Sequence, residues 1–167
     1  GNVVVEVTEI WMRVDIDGGR LDRHDKAILA ALNVEGRLPV TELAARVGLS
    51  KTPCQVRLKR LIEDGFIRGF RADLDPEMLG LDHVAFAEVK LSDTREAALS
   101  AFNAAVQKVV EIESCHMIAG AFDYLLKVRT ADIREYRRVL GEVISALPHV
   151  ESSSTHVAME TVKDRAF

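Results

Sequence analysis

A three-residue joint, Gly48-Leu49-Ser50, separates two segments with helical periodicity, and it constrains the fold of the first half most strongly. The segment 40–47 before it (VTELAARV) brings Leu43 and Val47 onto one face. After it, Ser50 is a favourable N-cap, and Pro53 falls in the first turn of a further helix, where no hydrogen bond is lost. The glycine of the joint suits a left-handed exit from the first helix. Two helices joined by so short a turn predict a helix-turn-helix.

Another helical segment precedes this pair. Residues 21–33 (LDRHDKAILAALN) begin with Asp22, a favourable N-cap, and carry an apolar stripe that includes Ile28. Thr41 is a candidate N-cap for the helix that follows. The sequence therefore predicts a unit of three helices over residues 21–65.

The helix after the joint is expected to have two unlike faces. Cys54, Leu58 and Leu61 recur at i, i+4 and i+7, so they form one narrow apolar face. A polar, cationic opposite face can enter the major groove of double-stranded DNA, where residues near the start of the helix meet base edges. The candidate DNA-binding residues are Ser50, Lys51, Thr52, Gln55, Val56, Arg57, Lys59, Arg60 and Arg68.

Charge is unevenly distributed along the chain. The whole chain carries a net charge of -4 at pH 7, whereas residues 46–71 hold seven basic residues against two acidic ones. An acidic protein with one basic patch indicates a local site for a polyanion. The alternative is a solvated amphipathic helix, because charged helix faces are common. Arg57 lies about 60° from the apolar stripe, so it can reach either a phosphate or a carboxylate.

Composition limits the class of protein. The 167 residues are 48% hydrophobic and 29% charged, which is typical of a globular domain. No apolar run approaches the roughly 20 residues of a membrane span, so we expect no membrane partner, and we find no secretory signal. Cys54 and Cys115 lie far apart in unlike contexts, which favours a reduced, cytoplasmic protein over a disulfide framework.

The second half of the chain shows strand and helix patterns in the order β-α-β-β-α-β. Its six segments are 82–91, 95–108, 109–118, 122–130, 132–146 and 150–162. This order is typical of the ferredoxin-like α+β fold, in which two helices cover one face of a four-stranded antiparallel sheet. The other face then needs a partner, and a second copy of the chain is the simplest one. Before this half, residues 66–75 are predicted as a strand or short wing.

Catalytic and metal sites are not expected. Cys115 and His116 are neighbours on a strand, so their side chains point to opposite faces and cannot pair as nucleophile and base. The five histidines show no metal-ligand spacing with the two cysteines, and the sequence has no glycine-rich phosphate loop. We therefore expect a binding protein and not an enzyme, with no metal ion and no cofactor.

Three stretches of sequence, in this order along the chain, carry a resemblance to a known protein family: LDRHDKAILAAL, LAARVGLSKTPCQVRLKRLIEDGFI and ESCHMIAGAFDYLLKV. Over about residues 21–163 the chain resembles the Lrp/AsnC (feast/famine) family of transcription regulators, in particular its leucine-responsive and proline-utilisation members. The resemblance implies a winged helix-turn-helix DNA-binding domain, a hinge strand with a linker, and a ferredoxin-like domain for effector sensing and oligomerisation. The corresponding ranges are 21–65, 66–81 and 82–163, while the role of residues 1–20 stays open.

The resemblance also implies a function. Such a protein is expected to be a sequence-specific transcription regulator that controls genes of amino-acid metabolism and is associated with the nucleoid in the bacterial cytoplasm. Family members form dimers that assemble into tetramers, octamers or larger rings, and small amino acids bind between dimers. The rival interpretation is a stand-alone small-molecule or interaction module whose helical unit contacts protein.

An effector site is implied by the same resemblance. Asp123 can accept a hydrogen bond from the ammonium group of an amino acid, and backbone N–H groups around Gly120 can donate to its carboxylate, although both residues are also common in hairpin turns. His156 and Ala158 differ in type from the leucine-responsive protein, as does Lys51 in the DNA-binding helix. The effector is therefore expected to be leucine, proline or another small amino acid. The candidate effector-binding residues are Met117, Gly120, Ala121, Phe122, Asp123, Tyr124, Asp132, Ile133, His156, Val157 and Ala158.

Overall fold

A computed structural model describes residues 18–165 of the chain, so residues 1–17 of the predicted N-terminal extension lie outside the described residues. The chain divides into two compact units, with the boundary between Asp73 and Leu74. No helix within the described range is long and apolar enough to cross a lipid bilayer.

The first unit is built on three helices: α1 (Arg23–Val34), α2 (Val40–Val47) and α3 (Lys51–Glu63). A capping box begins α1, as the predicted N-cap Asp22 accepts a hydrogen bond from the Asp25 N–H while the Asp25 carboxylate accepts one from the Asp22 N–H. This exchange satisfies two backbone donors that a helix start leaves without intrahelical partners.

The joint between α2 and α3 has the predicted left-handed glycine. Gly48 has φ 74° and ψ 31°, a conformation that most side chains disfavour. The predicted cap Thr41 is wrong, because α2 begins at Val40 and the Pro39 carbonyl already accepts the first helical hydrogen bond from the Leu43 N–H at 2.9 Å. Ser50 stands at the N-cap of α3, although its side chain makes no capping hydrogen bond there.

The three helices enclose one small apolar core. Its buried residues are Leu21, Ile28, Leu38, Leu43, Ala44, Cys54 and Leu61. Cys54 and Leu61 belong to the apolar face predicted for α3, and both are fully buried, while Leu58 packs against them. Burial raises the pKa of the Cys54 thiol, so this cysteine is a small apolar core residue at neutral pH.

The segment after α3 departs from the expectation. Residues 66–75 were expected to form a strand or wing, yet the single chain has no strand there. Phe66 and Ile67 pack against the helical core, while Phe70 is 54% exposed. A strand requires a neighbouring backbone to hydrogen-bond with, and no described residue of the same chain pairs with this segment.

The second unit has the predicted α+β order, with helices α4 (Glu96–Val106) and α5 (Ile133–Val139). Its strands are β1 (His83–Leu91), β2 (Ile112–Met117), β3 (Tyr124–Thr130) and β4 (Val150–Val157). They form one antiparallel sheet in the order β2-β3-β1-β4, which confirms the ferredoxin-like prediction. One detail differs, since the predicted long last helix continues after α5 as a π-helical turn over Leu140–Ile144.

Helices cover one face of this sheet. Ala87, Val89, Leu126 and Val128 are completely buried in a core that also contains Phe102 of α4 and residues of α5. The opposite face carries charged side chains. Lys127 there contacts Glu113 at 2.9 Å and Asp164 at 2.8 Å, and Arg129 contacts Glu113 at 2.7 Å.

Candidate nucleic-acid interface and effector site

One face of α3 is open to solvent along the helix. Thr52, Gln55, Val56 and Lys59 are all exposed, with Val56 at 64% of its surface and the Lys59 side chain at 77%. The opposite face of the same helix is buried, so the helix is fixed while its polar side stays accessible. A hydroxyl, an amide, a methyl-bearing side chain and an ammonium group stand together here, and all four can contact base edges or phosphates.

The other predicted DNA-binding residues occupy less uniform positions. Ser50 and Lys51 are exposed at the start of α3, and Arg68 is exposed beyond its end. Lys59 lies 3.7 Å from Glu63, one helical turn away, which is a weak solvent-exposed pair. These cations therefore remain available to a polyanion.

Arg57 and Arg60 are held by carboxylates of α1. Arg57 Nη1 lies 3.1 Å from Asp25 Oδ1 and also donates to Asp22, and Arg60 Nη2 lies 2.5 Å from the same Asp25 oxygen. The sequence allowed either a phosphate or a carboxylate as the partner of Arg57, and in the structure of the single chain Arg57 contacts carboxylates. The hydrogen bond from Arg57 lowers the pKa of Asp22, and the hydrogen bond to Asp25 raises the pKa of Arg60.

Asp25 is a functional candidate that the sequence interpretation missed. Its side chain is only 2% exposed, and burying a charged carboxylate is unfavourable unless cations and hydrogen bonds compensate its lost hydration. Removing one partner from a fully buried pair typically costs about 3–5 kcal/mol, and the cost here is lower because the Arg57 and Arg60 side chains are partly exposed. Asp25 is three positions before Ile28 on α1, so a charge on the apolar stripe was the feature that could have revealed it.

The predicted effector residues fall into two groups. A hairpin group lies around the turn that joins β2 to β3, and a distal group lies beyond the other end of β3 and at the end of β4. The length of β3 (Tyr124–Thr130) separates the hairpin group from Asp132 by about 20 Å, while His156 lies two strands away on β4, level with Lys127. One chain therefore does not bring all of these residues into a single site. The hairpin group is Met117, Gly120, Ala121, Phe122, Asp123 and Tyr124; the distal group is Asp132, Ile133, His156, Val157 and Ala158.

Two members of the hairpin group have structural partners. The Asp123 carboxylate accepts a hydrogen bond from the Leu91 N–H at 2.7 Å, which occupies one oxygen and leaves the other for a ligand. The Tyr124 side chain is 2% exposed and its hydroxyl donates to Asn103 Oδ1 at 2.6 Å, so the effector role predicted for this residue stays a prediction. The Tyr124 ring belongs to the core between the sheet and α4, whereas Met117 at the strand end is 56% exposed.

The distal group is more exposed. Asp132 caps α5 by accepting from the Glu135 N–H at 2.8 Å, and the neighbouring Ile133 is 47% exposed. His156 Nε2 lies 3.3 Å from Glu88 Oε1 on the sheet face opposite the helices. Val157 is 47% exposed, so this end of the sheet presents apolar surface beside polar groups.

Cys115 and His116 are neighbours on β2 that differ in burial. Cys115 is half-buried and packs against the core, while its neighbour His116 is exposed. Burial raises the pKa of the Cys115 thiol, which disfavours the nucleophilic thiolate. Within residues 18–165, no group of histidine, cysteine and carboxylate side chains is arranged to hold a metal ion.

Both units match known protein-family models. Residues 21–68 match the winged helix-turn-helix DNA-binding model, and residues 84–166 match the Lrp/AsnC ligand binding domain. A proline dehydrogenase transcriptional activator from Rhizobium radiobacter is 67% identical over 144 residues, which is 86% of this chain and 92% of the relative. The leucine-responsive regulatory protein of Escherichia coli is 46% identical over 146 residues, or 87% of this chain and 89% of the relative.

Solved structures agree with this relationship. A transcriptional regulator of Neisseria meningitidis in complex with L-Met superposes with a TM-score of 0.81 at 32% identity, covering 87% of this chain and 94% of that one. The relatives are named as regulators, which confirms the expectation that the protein is not an enzyme. The chain belongs to the Lrp/AsnC family of transcription regulators and combines a DNA-binding helix-turn-helix unit with a ligand-binding unit.

Proposed function

We propose that the open face of α3 recognises specific DNA sequences and that the second unit adjusts this activity in response to a small amino acid. The observation that carries the proposal is the exposed face of α3, which lies opposite the packed side of the helix and carries Thr52, Gln55 and Lys59. Any amphipathic surface helix packs on one face, but these three side chains are ones that contact base edges and phosphates, and residues 21–68 match the winged helix-turn-helix DNA-binding model.

The exposed side chains divide by chemistry into two roles. Thr52, Gln55 and Val56 contact base edges, because a hydroxyl, an amide and methyl groups are the groups that read the major groove. Ser50, Lys51, Lys59 and Arg68 contact phosphates and fix the position of the protein on the duplex. Arg57 and Arg60 reach DNA only with nitrogen atoms that their carboxylate partners leave accessible.

The effector site requires two copies of the chain in this proposal. The hairpin group of one copy and the distal group of another together provide a carboxylate, backbone N–H groups and apolar side chains, which suit an amino acid. The separation of the hairpin group from Asp132 and Ile133 within one chain supports this arrangement. Dimers then assemble into tetramers or octamers, and the effector shifts this equilibrium by its differential affinity for the two states.

The relatives suggest which amino acid to test first. The relative at 67% identity is named for the activation of proline dehydrogenase, so we propose proline as effector and a gene of proline breakdown as target. Leucine and methionine are the alternatives, from the names of the other relatives. In this proposal residues 21–65 recognise DNA, 66–81 link the units and 82–163 sense the effector, in a cytoplasmic protein associated with the nucleoid.

Selection of bound genomic fragments tests the proposal. The native chain is incubated with sheared bacterial DNA at two salt concentrations, with and without proline, leucine or methionine, and the bound fragments are sequenced. We expect a shared motif with two half-sites about one helical turn apart and a loss of affinity as salt rises. We also expect one amino acid to change both the enrichment and the sedimentation coefficient. Enrichment of no motif at either salt concentration would refute the proposal.

A further inference from the structure

The Asp25 carboxylate on α1 contacts two arginines of α3 and so links these two helices of the first unit. Its Oδ1 atom lies 3.1 Å from Arg57 Nη1 and 2.5 Å from Arg60 Nη2, and its Oδ2 atom accepts from the Asp22 N–H at 3.2 Å. Both oxygens are therefore engaged, one by the recognition helix and one by the helix start to which Asp25 itself belongs. The carboxylate fixes guanidinium groups that lie on successive turns of α3.

The same guanidinium groups line an open cleft. Arg57 and Arg60 line it together with Thr52 and Val56, two residues of the face proposed to read bases. The Arg57 side chain is 27% exposed and the Arg60 side chain is 41% exposed, so part of each guanidinium is accessible from the cleft. Each guanidinium carries five N–H donors in a rigid plane, and Asp25 contacts only one nitrogen of each.

The burial of Asp25 decides what happens when DNA approaches. A phosphate that pulled both arginines away would leave a carboxylate buried without its cations, which is more unfavourable than a rim contact is favourable. The arginines therefore stay on Asp25 and meet DNA with their remaining edges. A planar donor group held at one edge presents the other edge in a fixed direction, which suits bidentate recognition of guanine, whereas a contact with phosphate carries no sequence information.

We propose that Asp25 is a positioning residue for DNA recognition, which orients the guanidinium groups of Arg57 and Arg60 and thereby raises sequence discrimination more than affinity. The inference rests on the proposed function of α3. It differs from a purely structural role, because a residue that only holds α1 against α3 changes the stability of the fold without changing how the folded protein discriminates between DNA sequences.

The Asp25→Asn variant tests this role through two measurements on folded protein. The first is the ratio of affinities for the duplex that the native chain selects most strongly and for a shuffled duplex of the same composition. We expect this ratio to fall about tenfold. The second is the dependence of log K on log salt for the shuffled duplex, which we expect to steepen by about 0.9, because a released arginine then neutralises a further phosphate.

Two further variants separate positioning from folding. Arg60→Lys keeps a cation beside Asp25 but loses the planar fork, so it should lower the affinity ratio while the salt dependence stays native. The double variant Asp25→Asn/Arg60→Lys should lower the affinity ratio by less than the product of the two single effects, because both substitutions act on the same contact. The matched control is Glu42→Gln, which removes an exposed carboxylate of α2 that contacts neither arginine and should keep the ratio within about twofold.

Each outcome decides between these roles. If Asp25→Asn and Arg60→Lys fold natively by circular dichroism and keep the native ratio and salt dependence, Asp25 does not position the arginines. If Asp25→Asn does not fold, the Arg60→Lys ratio alone supports or overturns the inference. A native chain that binds both duplexes equally would instead overturn the proposed function, and this result appears before any variant is made.

Discussion

Replacing Tyr124 with phenylalanine tests whether this residue belongs to the core or to the effector site proposed at the hairpin end of the sheet. The structure places the Tyr124 ring 4.2 Å from the ring of Phe102, centroid to centroid, and its hydroxyl 2.6 Å from Asn103 Oδ1. Tyr124→Phe keeps the ring contact and removes one hydrogen bond. Asn103 is exposed, so water can take the place of the lost hydroxyl. The free energy of unfolding should therefore fall by about 0.5–1.5 kcal/mol.

The effector affinity should not follow this change in stability. The Tyr124 side chain faces the core, so Tyr124→Phe should bind the effector with a Kd within about twofold of the native value. Asp123→Asn is the matched variant, because its amide oxygen can still accept from the Leu91 N–H while its charge is gone. It should weaken effector binding about tenfold or more, the usual size of a charge-assisted hydrogen bond.

Urea unfolding and titration calorimetry with proline, leucine and methionine measure the two quantities on the same preparations. We expect each variant to change mainly one quantity. Tyr124→Phe should change the free energy of unfolding, and Asp123→Asn should change the Kd for the effector. A tenfold loss of effector affinity in Tyr124→Phe, with an unchanged free energy of unfolding, would show that the hydroxyl contacts the effector and that the core assignment is wrong.

Two other predictions concern the first unit. Gly48→Ala should lower the free energy of unfolding, measured in urea, by about 1–2 kcal/mol. Gly48 has φ 74°, and a Cβ added there meets no atom within 4 Å, so backbone strain is the only cost. An unchanged free energy of unfolding would contradict this prediction. The Arg57 hydrogen bond lowers the pKa of Asp22, so this carboxylate stabilises the fold above its unfolded pKa of about 3.9, and the contribution is lost as pH falls through the lower folded value. Asp22→Asn should therefore lose less stability than the native chain between about pH 4 and pH 2 in acid titrations followed by circular dichroism, and equal losses would count against the ion pair.

Features of the fold that depend on neighbouring residues, such as helix caps and helix ends, were predictable from the sequence. The exit through Gly48, the cap at Asp22 and the order of strands and helices depend on a few neighbouring residues each. Thr41 failed as a cap because Pro39 already fixes a backbone angle that suits the start of the helix. The strand expected over 66–75 failed because pairing depends on a partner backbone that the local pattern does not specify.

The site was less predictable, because its residues interact over long distances in the sequence. Asp25 and Arg60 are 35 positions apart, and only the packing of α1 on α3 reveals their contact. The position of Tyr124 could have been predicted, since it shares its strand parity with the buried Leu126 and Val128. The separation of the hairpin group from Asp132 and Ile133 could likewise have been predicted from the length of β3.

The most direct test of the central claim compares Gln55→Ala, Lys59→Ala and the control Lys108→Ala, an exposed lysine of the second unit, in binding to a randomised duplex library. Gln55→Ala should change the preferred bases at one position of each half-site, at about 1–3 kcal/mol. Lys59→Ala should weaken binding to all sequences and lower the salt dependence by about 0.9, while Lys108→Ala should behave as the native chain does. Native affinity, base preference and salt dependence in all three variants would show that the open face of α3 does not contact DNA.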